Sequence, residues 1–169
     1  KTNFQLSVTQ KNAVTSQPIL GTFTMKASKF MLEMNETKVW FDGKTQWAYS
    51  ISDNEVSITE PNQDELATIN PMAILSGFKA KSTIKLSKQK ATQNHIIELI
   101  PKNKKEEFTK VEVQINKSNS NLALIKLYDK KGSITTLNLT KYQQISKITD
   151  EIFVFNKTKF KGVTINDLR

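Results

Sequence analysis

The residues that most often carry out catalysis are scarce in this chain of 169 residues. His95 is the only histidine and there is no cysteine. A Ser-His-Asp device would therefore have to use His95, and thiol catalysis and thiolate metal sites are excluded. His95 lies in "QNHIIELI", a predicted strand, where a histidine is typically a surface or hydrogen-bonded structural residue. With only 5 glycines, a glycine-rich phosphate loop is not expected, and we predict no metal and no cofactor.

Paired carboxylates are the remaining chemistry that the residue types allow. Two of them could act as the acid and base of a glycosidase. The acidic residues nevertheless fit strand-surface, turn or loop positions: Glu33, Asp42, Glu55, Glu60, Asp64 and Glu65. We therefore predict that the protein is not an enzyme. A polysaccharide hydrolase on an unrelated β-sandwich or barrel is kept as an alternative hypothesis.

The charge of the chain comes almost entirely from lysine. The net charge is +9, from 25 basic and 16 acidic residues, and Arg169 is the only arginine. Lysine is a point charge without the flat fork that reads phosphate and guanine, so a nucleic-acid partner is not predicted. Such a surface suits solubility or loose attraction to an anionic membrane or an acidic partner. No stretch approaches the roughly 20 apolar residues of a membrane span.

Short segments with alternating apolar and polar residues follow one another along most of the chain. Their spacing of about 8–12 residues is typical of an antiparallel sandwich or barrel. They fall at 3–10, 18–27, 29–34, 38–41, 45–51, 55–59, 80–87, 94–100, 110–116, 121–129 and 133–145. We predict a single, mainly β domain over residues 1–169.

Two segments interrupt this alternation. The stretch 70–78, "NPMAILSGF", predicts a short helix, with Asn70 as N-cap, Pro71 at the first position and Gly77 as the stop. The stretch 147–162 is too irregular to assign, although "IFVF" within it could form a strand.

The stretch 29–50 predicts an apolar hairpin. Phe30, Leu32 and Met34 share one face by the period of two, and Asp42-Gly43 is a strong hairpin-turn signal. Trp40 and Trp47 flank this turn, where cross-strand packing is the default interpretation.

These segments, taken in order, resemble the LolA family of periplasmic lipoprotein carriers. "GTFTMKASKFMLEM" is similar to the first strand pair of the family, "DGKTQWAYS" to its next hairpin and "NEVSI" to the strand after it. "NPMAILSGF" looks like the helix that follows, and the residues from "ELIPK" to "LTKYQ" and the closing "FVFNKTKFKGVTINDLR" resemble later segments. The "DLR" ending is similar to Bacteroidetes-type members.

The resemblance implies an unclosed antiparallel β-barrel of about ten or eleven strands, with short helices covering its open side. The family begins with an amphipathic helix. This chain opens in mid-pattern on "KTNFQLSV", so we expect a processed or truncated start that lacks this part of the lid. Lys26 stands where the family has an arginine that latches the lid, and it keeps the charge without the planar fork.

The implied ligand site is an apolar cavity for acyl chains. Its expected lining residues are Phe30, Leu32, Met34, Met25, Trp40, Trp47, Met72 and Leu75, with Lys26 as the lid latch. From the residues alone, each of them could equally be ordinary core, because a sequence does not separate a filled interior from an open one.

The implied function is that of a periplasmic, monomeric carrier that takes lipoproteins from the inner to the outer membrane. Its partners would be acylated lipoproteins, the inner-membrane lipoprotein-releasing ABC transporter, an acceptor at the outer membrane and, transiently, the membranes themselves. The alternative within the same fold is a lipid or glycolipid binding protein, or a lipoprotein sensor, with a different ligand.

Overall fold

The structure, a computed structural model, describes residues 1–10, 17–62, 65–66, 71–89 and 91–169. Half of them lie in strands. The strands are β1 (Thr2–Thr9), β2 (Ile19–Lys26), β3 (Lys29–Met34), β4 (Thr37–Phe41), β5 (Gln46–Ser50), β6 (Glu55–Thr59), β7 (Ser82–Leu86), β8 (Asn94–Pro101), β9 (Phe108–Asn116), β10 (Leu122–Asp129), β11 (Ile134–Thr140) and β12 (Thr164–Asp167). The described helices are α1 (Pro71–Lys81) and the 3-10 helices η1 (Asp150–Phe153) and η2 (Lys157–Lys159).

The twelve strands belong to one unclosed sheet in the order β12-β6-β5-β4-β3-β2-β1-β11-β10-β9-β8-β7. Neighbours from β2 to β6 and from β7 to β11 are antiparallel, whereas β12 is parallel to β6. This confirms the predicted mainly β fold of an unclosed, largely antiparallel sheet with few helices. The strands divide between two compact units, 1–3, 20–62 and 141–169 in the first and 4–19 and 63–140 in the second.

The first unit is a meander of hairpins, β2 to β6, extended at its edge by β12. The β4–β5 turn was predicted from Asp42-Gly43 and is confirmed. Asp42 Oδ1 accepts hydrogen bonds from the backbone N–H of Lys44 at 2.9 Å and of Thr45 at 2.8 Å. Gly43 has a φ of +104°, which a residue with a side chain rarely adopts. The turn therefore fixes the register in which Trp40 stands opposite Trp47.

Both faces of the first unit's sheet carry buried side chains. Val39, Trp40 and Phe41 are consecutive in β4 and all are buried. Since neighbours along a strand point to opposite faces, each face of β4 must be covered. On the Trp40 side the cover comes from the segment around η1 and η2, where Phe155 and Phe160 pack against the buried cluster.

The second unit contains β7 to β11 and α1. Its core lies on the face of Leu99, Val111 and Ile125, and α1 packs on β7 and β8, next to Phe108, whose ring centroid is 4.3 Å from that of Phe78. The opposite face of β9 carries polar side chains. Glu112 on it is only 5% exposed, because Gln114 and Tyr128 cover and hydrogen-bond its carboxylate.

Several predicted boundaries differ from the structure. β11 ends at Thr140, not at 145, and the "IFVF" run begins in a 3-10 helix rather than a strand. α1 continues through Gly77 to Lys81, with Lys79 and Lys81 in its last turn, where cations favour a helix C-terminus. β12 has only exposed side chains, so its sequence shows no alternation of apolar and polar residues that would predict a strand.

The predicted N-cap Asn70 lies outside the described residues. None of the described helices has the length and apolarity to cross a bilayer.

Candidate functional site

Two of the predicted cavity residues, Phe30 and Leu32, belong to a buried apolar group in the first unit, together with residues of β2 and β4. Phe30 is 1% exposed, and its ring centroid lies 5.7 Å from that of Phe23 and 5.2 Å from that of Phe41. Leu32 stands opposite Phe23 on one side and Val39 on the other. We refer to these five residues as the Phe30 face; all of them are buried.

Met25 and Met34 lie on the same face of the sheet, at the margin of this buried group. Met25 stands opposite Phe30 and is 40% exposed, and Met34 stands opposite Gly21 and is half-buried. On α1, Leu75 is half-buried, and the side chain of Met72 lies outside the described part of the structure. Flexible thioethers at the margin of an apolar surface can adapt to ligands of different shape.

Trp40 and Trp47 lie on the opposite face of the sheet from Phe30. The register pairs Phe30 with Phe41 and Met31 with Trp40, and Trp40 with Trp47. Because directly opposite residues of antiparallel strands share a face, the tryptophans belong with Met31. The structure thus brings together Phe30, Leu32, Met25 and Met34, and separates the two tryptophans from them.

The tryptophan side of the sheet contains a second apolar group, which the sequence did not predict as a site. Trp40 is 7% exposed and its ring makes edge contacts with Phe155 at 5.5 Å and Phe160 at 5.7 Å between centroids. Tyr49 packs beside Phe160 at 4.7 Å. We refer to Met31, Trp40, Phe155 and Phe160 as the Trp40 cluster. The sequence did contain one indication of this grouping. The connection between β3 and β4 is only Asn35-Glu36, and a connection of that length places Met31 opposite Trp40.

A cleft of about 690 Å³ opens beside the Trp40 cluster. Its floor includes Met31, Lys38 and Trp40 from β3 and β4. The remaining lining residues come from the segment around η1 and η2: Glu151, Ile152, Val154, Phe155, Asn156, Lys157, Thr158, Lys159 and Phe160.

The predicted latch residue, Lys26, bonds to the segment that begins η1. Its Nζ donates to Asp150 Oδ1 at 2.7 Å and to the carbonyl of Ile148 at 3.0 Å. Lys29, directly opposite Lys26, donates to the other carboxylate oxygen at 2.6 Å. Hydrogen bonds from Lys26, then from Lys29, lower the pKa of Asp150 to about 2. Sequence reasoning missed both Lys29 and Asp150, which lie far apart in the chain.

The structure places His95 and one pair of facing carboxylates on the strands of the second unit. His95 is exposed on β8 opposite Ile115. Glu98 and Glu112 do stand opposite each other, but Lys110 Nζ lies 3.6 Å from the first carboxylate and 3.9 Å from the second. Within the described ranges, no three His, Asp or Glu side chains are grouped so that they could hold a metal ion.

Comparison with known proteins identifies the family. The family model described as "Outer membrane lipoprotein carrier protein LolA" matches residues 1–132. Curated relatives named outer-membrane lipoprotein carrier protein are 27% identical in Shewanella loihica, over 100% of this chain and 79% of the relative, and 25% identical in Legionella pneumophila, over 93% and 78%.

One solved structure has a fold similar to that of this chain. It is an uncharacterized conserved protein from Thermus thermophilus, with a TM-score of 0.60 at 14% identity, and the match covers 98% of this chain and 90% of the other. At that identity the likeness concerns the fold alone. The family match over most of the chain shows the family by itself. The chain belongs to the family of the outer membrane lipoprotein carrier protein LolA.

Proposed function

We propose that this protein is a periplasmic carrier that binds the acyl chains of lipoproteins and shuttles them from the inner to the outer membrane. The observation that carries the proposal is the Phe30 face, a buried apolar group that includes three aromatic rings. Family membership supports the same role. The carrier makes and breaks no covalent bond.

The physical need for such a carrier is large. Each methylene removed from water is worth about 0.8 kcal/mol, so an acyl chain of about sixteen carbons represents roughly 12 kcal/mol. A lipoprotein therefore does not cross water unaided, and the carrier must shield the chain and later release it. The methionines beside the Phe30 face, Met25 and Met34, suit a site that repacks around different chains.

The finer parts of the proposal concern partners and gating. The protein would receive cargo from the inner-membrane lipoprotein-releasing ABC transporter and deliver it to an acceptor at the outer membrane, acting as a monomeric single domain. Met72 and Leu75 on α1 would add ligand contacts. Lys26 would act as the latch, through Asp150 rather than through an arginine-type fork.

The test uses the mature protein produced from its complete gene and added to spheroplasts that make radiolabelled lipoproteins. We expect labelled lipoprotein to appear in the soluble fraction bound to the protein, and Phe30→Glu to abolish this release. Because Phe30 is buried, circular dichroism must show that the variant is folded. No release by folded wild-type protein would contradict the lipoprotein-carrier role.

A second readout does not depend on a buried substitution. A photo-crosslinking amino acid at Met25, beside the Phe30 face, should attach to the labelled cargo. The matched control position is Ile165, which is also 40% exposed but lies on β12. Equal crosslinking at both positions would argue against the Phe30 face as the site.

One observation favours the alternative of a lipid or glycolipid binder or lipoprotein sensor. Lys26 stands where the family has an arginine, and it bonds to Asp150 and to the backbone of residue 148; a latch of this kind would leave room for a different ligand. Mass spectrometry of lipids extracted from the purified protein separates the two roles. A diacylated peptide supports the carrier, whereas a free lipid or glycolipid supports the alternative.

A further inference from the structure

The cleft beside the Trp40 cluster lies on the opposite side of the sheet from the Phe30 face, so the proposed carrier function does not use it. Its volume of about 690 Å³ falls within the range of about 300–1,000 Å³ that is usual for small-molecule sites. All of its lining residues belong to the first compact unit. The question is which ligand its side chains would recognise.

The apolar part of the cleft can hold a hydrocarbon chain. Met31, Trp40, Phe155 and Phe160 line it together, and the rings of Phe155 and Phe160 stack with their centroids 4.9 Å apart. Burial of a hydrocarbon against such a surface is favourable at about 25 cal/mol per Å². Val154 also lines the cleft and is 39% exposed. A hydrocarbon chain bound in the cleft would remove this side chain from water.

Trp40 adds an unused hydrogen-bond donor. The residue is 7% exposed and lines the cleft, yet its indole N–H donates to no acceptor among the residues that the structure describes. A ligand oxygen in the cleft would provide one.

The charges around the cleft favour an anion. Lys157 and Lys159 line one wall and form no ion pair with any described carboxylate. Lys38, on the floor, is already neutralised by Glu33 at 3.3 Å. Glu151 is the one acidic side chain in the lining, so the two unpaired lysines leave the cleft positively charged.

We propose that this cleft is a second binding site, for a single-chain amphiphile with an anionic head group. The hydrocarbon would lie against the Trp40 cluster, and the carboxylate or phosphate of the head group would take the Trp40 N–H and the charges of Lys157 and Lys159. A free fatty acid and a lysophospholipid share this chemistry. The site is separate from the one proposed for lipoprotein acyl chains.

The test is a titration of the full chain with dodecanoate, followed by NMR of the two tryptophan indole N–H signals, which Trp47→Phe assigns. We expect the Trp40 signal to shift in a saturable manner. The double variant Lys157→Glu/Lys159→Glu should weaken binding about tenfold. The same charge change at the exposed pair Lys104→Glu/Lys105→Glu is the matched control and should leave it unchanged.

Two further ligands distinguish the outcomes. Monolaurin has the same chain with a neutral head group and should bind more weakly; equal binding would overturn the anionic part of the proposal. Lysophosphatidylglycerol binding in preference to dodecanoate would identify the lipid source of the anion. If dodecanoate shifted only the amide signals of the Phe30 face, the second site would be disproved without affecting the carrier proposal.

Discussion

At the scale of single residues, the contact around Asp150 has a clear electrostatic consequence. Both carboxylate oxygens accept a lysine N–H, from Lys26 at 2.7 Å and from Lys29 at 2.6 Å. Lys26 and Lys29 reach the same carboxylate because they stand opposite each other at the end of the β2–β3 hairpin, where Ala27 takes a φ of +52°. Lys26 was predicted to be a functional residue, whereas its acidic partner, Asp150, was found only in the structure.

This contact predicts an unusually acidic carboxyl group. The Asp150 pKa of about 2 lies below its unfolded value of about 3.9. The two bonds therefore contribute stability above about pH 4, which is lost as the pH falls through about 2. Carbon-13 NMR of the carboxyl signal should give this midpoint. Lys26→Gln/Lys29→Gln should return the pKa towards its ordinary value.

A control for that titration exists elsewhere in the chain. Asp167 also has a pKa of about 2, caused by Arg169, whose Nη2 lies 2.6 Å from Asp167 Oδ2. The lysine double variant should leave the Asp167 pKa where it is. If the Asp150 midpoint did not move in the variant, the lysine contacts would not be its cause. Because all these groups are partly exposed, about 1 M salt should raise both pKa values.

At the scale of elements, two glycines are expected to respond in opposite ways to the same substitution. Gly43→Ala should destabilise the protein by about 1–2 kcal/mol, because φ of +104° is strained for alanine. Gly77→Ala should stabilise it by up to about 1 kcal/mol, because Gly77 lies inside α1 and no atom stands within 4 Å of the added methyl group. Urea unfolding measures both changes, and equal signs would contradict this account.

Elements were predictable from sequence where one periodic pattern dominated. The alternation placed β1 to β11, with the largest boundary error at the end of β11, and the turn chemistry of Asp42-Gly43 placed the β4–β5 hairpin. β12 was not predicted, because its side chains are all exposed. A strand that only adds hydrogen bonds to β6 does not require an alternation of apolar and polar residues. An apolar run such as "IFVF" suits a strand or a helical turn equally, and the chain there forms η1 with Phe153 buried.

The candidate site was predictable in part for a related reason. The period of two grouped Phe30, Leu32 and Met34 correctly within β3, since it acts within one strand. It does not say which residues of the next strand share that face, because this depends on the length of the connection. Trp40 was therefore grouped with Phe30, whereas the register places it beside Met31. The functional roles of these residues stay predictions.

At the scale of the whole molecule, charge is the property that sequence alone determines. The net charge of +9 is carried by lysines spread over both units, and such a surface attracts anionic membranes through long-range forces. We expect co-sedimentation with phosphatidylglycerol vesicles at about 10 mM salt and its loss near 0.5 M, where the Debye length falls to a few ångströms. Phosphatidylcholine vesicles are the control. Salt-independent co-sedimentation would point to apolar insertion instead.

The fold class, too, was a prediction about the whole chain. An unclosed antiparallel sheet with few helices followed from the recurring strands and from the family resemblance, and both the sheet order and family membership confirm it. The single-domain prediction stays a prediction, and the contacts divide the chain into two compact units.

The three consecutive buried residues of β4 also bear on how the chain reaches its native state. In a strand with one wet face, a slip by one residue exposes apolar groups and is penalised at once. Here a slipped β4 would still bury Val39, Trp40 and Phe41, merely on exchanged sides, so hydrophobicity alone discriminates weakly against the error. Discrimination falls to the Asp42–Thr45 turn, which allows one pairing. This turn therefore selects the correct register. A substitution that makes the turn more flexible should increase the population of misregistered hairpins, which slow folding.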